Sequence, residues 1–218
     1  CSNDDVVDVN NGGGISFRAS LDRAVTRTNV TSLQNLAAFN VTAIGDGKNY
    51  FTDLGVSSAD NGVNWTTAST YYWPGYELAF FAYAPQAPAG TVSIDNASKK
   101  ITGFSPAQAV ADQKDLVISY NTGTKAVNEG PGVAMNFKHA LSQIEVKAKC
   151  SNDKIKIEIM GVKLVNAAAK AEFAFPETET KSSYVLQQSQ WSNWSEKDDP
   201  TKAYMIKGGA PVILTADA

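Results

Sequence analysis

The chain has 218 residues, 43% of them hydrophobic and 19% charged, with a net charge of −3 and a pI near 5.2. That composition is too apolar for disorder and long enough to bury a substantial core, and it offers no broad basic face to nucleic acid or anionic lipid. No apolar run approaches the roughly 20 residues of a membrane-spanning helix, and one histidine with two cysteines excludes a multi-histidine metal centre and a disulfide framework.

Residues 1–14, "CSNDDVVDVNNGGG", are polar, acidic and then glycine-rich, which reads as a flexible tether without a core of its own. After it, alternation with period two dominates. "ISFRA" (15–19), "FNVTAIG" (39–45), "KNYFTDLGV" (48–56), "YELAFFAYAP" (76–85), "KKITGF" (99–104) and "DLVISY" (115–120) are short apolar or β-branched runs between turn residues. "VAMNF" (133–137), "SQIEVKAK" (142–149), "AEFAF" (171–175), "AYMIK" (203–207) and "PVILT" (211–215) continue the series. In "KIKIEI", Ile155, Ile157 and Ile159 face one way, while Lys154, Lys156 and Glu158 face water. Helical turns are expected only in "SLQNLAAF" (32–39) and around "KHALSQ" (138–143). The fold class is all-β, built of antiparallel sandwiches. The polar segment "NTGTKAVNEGPG", Asn121 to Gly132, is the best boundary, giving a tether over 1–14, a first domain over 15–132 and a second over 133–218. The second is short for a full sandwich and is expected to be incomplete.

Catalytic chemistry finds no support, so the chain is read as not an enzyme and as needing no cofactor. No G-x-S-x-G, H-E-x-x-H or P-loop spacing occurs. His139, at the lip of a strand, is expected to serve hydrogen bonding or packing. "DDVVDVN" lacks the central glycine and the terminal glutamate of a calcium loop, and Cys150 reads as a small, half-buried strand-end residue. The aromatic run "YYWPGYELAFFAY" is assigned to packing, with Tyr71, Trp73 and Tyr76 covering a sandwich end and Phe80 and Phe81 on opposite faces. Trp191 and Trp194 lie in a polar segment, and they are the candidate aromatics for stacking on a ligand such as a sugar ring. Arg18, Arg23 and Arg27 are the only arginines, and an accessible arginine in an extended segment is a candidate site for a trypsin-like protease.

A WP doublet leading into "LAFFAYAP", then "DLVISY", then "VAMNFKHALSQIEVKAK" resembles the fimbrillin-like proteins of Bacteroidetes, the FimA- and Mfa-type pilins. "FKHALSQIEVK", Phe137 to Lys147, is the most specific stretch, and "ISFRA" followed by "AVTRTN" looks like the family's first strand. The resemblance implies two antiparallel β-sandwich domains in tandem, of transthyretin-like or Greek-key type. It also implies a lipoprotein cut just before Cys1, which would carry the acyl chains and anchor the protein in the outer membrane. Buried methylenes contribute about 0.8 kcal/mol each, so two or three chains hold firmly. The acidic "SNDD" resembles a surface-export signal.

For polymerising members the resemblance implies donor-strand exchange. A protease cuts after an arginine, the first strand leaves, and a strand from the next fimbrial subunit takes its place. Arg27 is favoured over Arg18 and Arg23, because a cut there releases the whole of "ISFRASLDRAVTR". Family members continue past the point matching Ala218, where the resemblance puts the rest of the second sandwich and, in pilins, a C-terminal donor strand. A chain ending at Ala218 would accept a donor strand without supplying one, which favours a terminal, anchor or accessory role. The alternative is a non-polymerising surface lipoprotein that binds glycan or host protein.

Overall fold

The computed structural model describes residues 13–21, 36–88, 90–142, 144–152, 154–168, 170–176, 186–195, 203–207 and 210–214. Within them the strands are β1 (Phe17–Leu21), β2 (Ala38–Gly45), β3 (Lys48–Ser57), β4 (Thr66–Thr67), β5 (Leu78–Ala84), β6 (Thr91–Ile94), β7 (Lys99–Phe104) and β8 (Val117–Gly123). They continue with β9 (Val133–His139), β10 (Ile157–Ile159), β11 (Val162–Val165), β12 (Lys170–Ala174), β13 (Trp191–Ser195), β14 (Ala203–Lys207) and β15 (Val212–Leu214). One helical turn, α1 (Lys125–Asn128), stands between β8 and β9.

β5 shows why a large sheet forms. Leu78, Phe80, Ala82 and Ala84 enter one core, and Phe81 and Tyr83 enter another on the opposite face. A strand buried on both faces has to sit inside its sheet, where neighbours satisfy its backbone on either side. β2 and β8 flank it, giving the seven-stranded order β1-β9-β8-β5-β2-β3-β4. Against one face lies a four-stranded sheet of order β13-β12-β7-β6. Ile44, Phe81, Tyr83, Leu116 and Ile118 from the large sheet meet Ile94, Ile101, Phe104, Phe173 and Phe175 from the small one. Phe81 and Phe175 make an edge-on contact across the gap, with centroids 5.9 Å apart. The other face of the large sheet holds Phe17, Phe39, Val41, Phe51, Phe80 and Phe137. The sheet curls over this core, because Phe17 of β1 touches Phe39 of β2 although three strands separate them.

The structure differs from the sequence reading at several points. The boundary expected at 132/133 runs between β8 and β9, which are hydrogen-bonded neighbours in one sheet. β12 pairs with β7 and β13 with β12, so residues far beyond 133 also belong to the first sandwich. A polar, glycine-bearing segment marks a turn between paired strands here, because turn chemistry does not show which strands pair. β1 runs parallel to β9, unlike the antiparallel pairing among the other described strands. No strand forms over the described residues of "SQIEVKAK", where Ile144 and Val146 are about half exposed. Cys150 is free and buried, as a loop residue whose thiol faces the Asn152 and Ile155 carbonyls. The helical turns expected near 36–39 and 138–142 are absent, since Ala38 opens β2 and His139 closes β9.

β10 pairs with β15 and β11 with β14, each as a separate two-stranded sheet. In and between these strands Ile157, Met160, Val165, Val212 and Ile213 are exposed. β14 is tied to the first sandwich where Met205 N–H donates to the Gln108 carbonyl and Gln113 Nε2 to the Met205 carbonyl, both at 2.9 Å.

A fragment ending at Gly132 lacks β9, β12 and β13, and so loses one neighbour of β8, one neighbour of β7, Val133, Met135 and Phe137 from the first core, and Phe173 and Phe175 from the second. It is expected to show no cooperative denaturant transition and no near-UV circular dichroism, whereas the full chain shows both. A fragment that unfolds cooperatively would overturn this strand assignment.

Candidate functional site

The site is the seat of β1. This strand lies at the end of the sheet and pairs only with β9 among the described strands, Phe17 opposite Val133 through Leu21 opposite Phe137. Ile15 and Phe17 are 6% exposed, while Arg18 and Ser20 point to solvent. The Phe17 ring meets the rings of Phe80 and Phe39 edge-on, at 5.7 Å and 6.2 Å. Burial of these two side chains contributes about 3–6 kcal/mol together, at about 1.5–3 kcal/mol each. Ser20 Oγ donates to Asn136 Oδ1 on β9.

Just before β1 the chain is gripped from two sides. Gly14 forms a bridge with Tyr72, and Ile15 N–H donates to the Tyr71 carbonyl at 2.7 Å. On the opposite side Val133 N–H donates to the Ser16 carbonyl at 2.8 Å. The Tyr71–Trp73 jaw is fixed by packing: Tyr71 lies against Phe51 at 4.7 Å, Trp73 is buried beside Phe80 at 5.9 Å, and Tyr50 Oη donates to the Tyr72 carbonyl. The other jaw turns at Gly132, whose φ of 74° favours glycine. A Cβ there would sit 3.2 Å from the Ser16 carbonyl oxygen and 3.1 Å from its hydroxyl. Asn128, buried at the end of α1, accepts from Thr124 N–H and donates to the Gly132 carbonyl, which holds this turn closed.

A solved fimbrial protein from Bacteroides vulgatus ATCC 8482 shares the fold, with a TM-score of 0.56 at 19% identity over 93% of this chain and 76% of that one. A candidate cell adhesion protein from Bacteroides ovatus ATCC 8483 is similar at a TM-score of 0.48 and 17% identity, covering 92% of this chain and 77% of that one. Comparison with curated proteins gives no match. The sequence model of the fimbrillin-like family matches residues 23–211. The chain belongs to the fimbrillin-like family.

In this fimbrillin-like chain the site residues expected from sequence separate into three groups. Cys1, Arg23 and Arg27 lie outside the described residues. Arg18 is exposed on β1, inside the ladder with β9. Trp191 is taken up by packing: its ring meets Phe173 at 5.0 Å and Phe104 at 5.9 Å, and its Nε1 donates to the Ala140 carbonyl. Trp194 is 49% exposed and lies 5.8 Å from Trp191. A polar cleft of about 490 Å³ opens on the small sheet, lined by Thr91, Thr102, Lys170, Glu172, Asn193 and Ser195, and Trp194 takes no part in it.

The ionisable groups that stand out are structural. His139 Nδ1 lies 2.5 Å from Asp115 Oδ2 where β8 and β9 meet. Asp60 sits in an exposed turn where the Asn64 backbone N–H, the Ser58 hydroxyl and the Asn64 amide hold its carboxyl down to about 2. Burial raises the Tyr83 phenol, with help from the hydrogen bond it donates to Asp53. Sequence reasoning missed Tyr71, Tyr72 and Gly132 as the seat of β1. Only the glycine carried a local signal, in "NEGPG".

Gly132→Ala puts a Cβ against Ser16 at a positive φ, and is expected to destabilise the seat by about 1 kcal/mol or more. Phe17→Ala empties the aromatic pocket, at about 3–5 kcal/mol. Hydrogen exchange of residues 13–21 checks both, and protection equal to the wild type in either variant would contradict the seat described here.

Proposed function

We propose that this fimbrillin-like protein is a surface-exposed structural subunit of fimbriae that serves cell adhesion, is anchored in the outer membrane through an acylated Cys1, and assembles by protease-triggered exchange of β1. Family membership makes it a structural, non-enzymatic protein that associates with other fimbrial subunits. The observation that carries the finer reading is the seat itself. β1 is a sheet-edge strand whose apolar side fills a core and which leads into the arginine-bearing segment.

Removing such a strand uncovers the backbone edge of β9 and the pocket of Phe39, Phe80 and Phe137. An extended strand from another subunit satisfies both, its backbone pairing with β9 and its alternate side chains filling the pocket. A cut after Arg27 or Arg23 leaves β1 whole, whereas one after Arg18 divides the ladder between Arg18 and Ala19.

The exposed ring of Trp194, backed by Trp191, favours the second reading, a non-polymerising surface lipoprotein that stacks a glycan or contacts a host protein there.

Protein extracted from the cell surface is expected to run as a ladder of oligomers that collapses to monomer on boiling, with its N-terminus just after one of the three arginines. The triple variant R18Q/R23Q/R27Q is expected to remain monomeric. A ladder that persists in that variant would sink the protease trigger, and a wild type without any ladder would leave the Trp194 reading standing.

For the anchor, which the cut removes, mass spectrometry of the uncut R18Q/R23Q/R27Q protein is expected to find acyl chains on Cys1, and adding Cys1→Ser is expected to release that protein into the medium. An unmodified Cys1 would overturn the anchor.

A further inference from the structure

We propose that β1 is held by a clasp at its N-terminal end, residues 14–17, and leaves only when a competing strand displaces it from its open end, residues 18–21. This rests on the reading that β1 is the strand exchanged during assembly. The hold on the segment is uneven along its length. At Gly14 to Ser16 the backbone is bonded on both sides, to Tyr71 and Tyr72 on one and to Val133 on the other. Gly14, Ile15 and Phe17 are buried there. From Arg18 onward the neighbour is β9 alone among the described residues, Arg18 and Ser20 are exposed, and Ala19 and Leu21 are half-buried.

Both jaws are stiff. One is pinned by the Tyr71 and Trp73 rings and by Tyr50, the other by Asn128 and Gly132. The Asn128–Gly132 jaw approaches the strand closely at two glycines: a Cβ on Gly13 would lie 2.6 Å from Glu129 Oε1, and one on Gly132 would press on Ser16.

All three arginines lie at or beyond the start of the open end. A cut after Arg23 or Arg27 therefore removes the covalent tether and leaves the clasp complete. A cut after Arg18 still leaves Ile15 and Phe17 in place. Cleavage makes β1 replaceable without expelling it. The incoming strand runs parallel to β9 and pairs first beside Asn136 and Phe137, where only Ser20 and Leu21 have to yield. It then advances towards Val133, one residue at a time, and breaks the clasp last. It has to be an extended peptide with apolar side chains at the positions of Ile15, Phe17 and Leu21. The β9 edge is never bare during such an exchange, so no intermediate presents an open strand to non-specific pairing.

The test uses full-length R18Q/R23Q protein, cut at Arg27 with an arginine-specific protease and followed by native mass spectrometry. Residues 1–27 are expected to stay bound after dilution, and to leave at a rate that rises with the concentration of a synthetic peptide spanning residues 13–21. A peptide ending at position 18, which lacks the residues that pair at the open end, is expected to exchange at least tenfold more slowly. Wild-type protein, cut at all three arginines, is expected to keep residues 1–18.

A fragment that departs at a rate independent of the peptide, or equal rates for the two peptides, would overturn the clasp. Hydrogen exchange on the uncut wild type tests it without cleavage or substitution: residues 13–17 are expected to exchange at least tenfold more slowly than residues 18–21, and uniform exchange would overturn it. A missing fimbrial ladder would count against the proposed function and leave this result untouched, because the peptide is supplied from outside.

Discussion

The edge of β9 is the constraint on which the first sandwich turns. Val133, Met135 and Phe137 point from this strand into the core that also holds Phe39 and Phe80, so β9 cannot shift outward without opening that core. Its outer backbone edge then needs a partner, since unpaired peptide groups beside a buried apolar face cost about as much as lost hydrogen bonds. β1 supplies the partner and closes the core with Ile15 and Phe17. The parallel direction follows from the seat: the segment enters between Tyr72 and Val133, and from there it lies alongside β9 in the same sense.

Much of the sandwich was legible in the chain. The alternation in "LAFFAYA" gave Phe80 and Phe81 to opposite faces, and the two cores confirm that division. The pattern of "VAMNF" marked a strand, and β9 is one. What alternation does not carry is the identity of the neighbour. β12 pairs with β7 across more than sixty residues of sequence, and nothing local in "AEFAF" points to "KKITGF". Non-local pairing is decided by which apolar faces close a core, and that information is spread over the whole chain.

The same reasoning explains the failure at "SQIEVKAK". Its period is as clean as that of β10, yet its described residues make no ladder, and Ile144 and Val146 stay half exposed. A period-two pattern states that a segment has two unlike faces. It becomes a strand only where another strand offers matching backbone. The candidate site divided along this line as well. Arg18 was visible as a residue type, and the fold places it exposed on the edge strand. The jaws at Tyr71–Trp73 and Gly132 are properties of three distant segments brought together, so no single stretch announced them.

A strand can be both firmly held and replaceable when the two properties rest on different groups. What β9 asks of its neighbour is chiefly backbone, and every residue but proline offers the same donor and acceptor. What the core asks is narrower, an aliphatic side chain at the place of Ile15 and an aromatic or comparably large one at the place of Phe17. Any chain that meets those alternate positions satisfies the seat as well as β1 does, so the difference in free energy between the old strand and a new one is small even though each is worth several kcal/mol against an empty seat. The equilibrium is therefore set by supply and tethering rather than by the intrinsic fit of either strand. While the chain is intact, β1 is held at high local concentration by its own connection and wins against any free competitor. Under the proposed exchange, a cut in that connection would remove the advantage and give it to a competitor tethered to a neighbouring subunit.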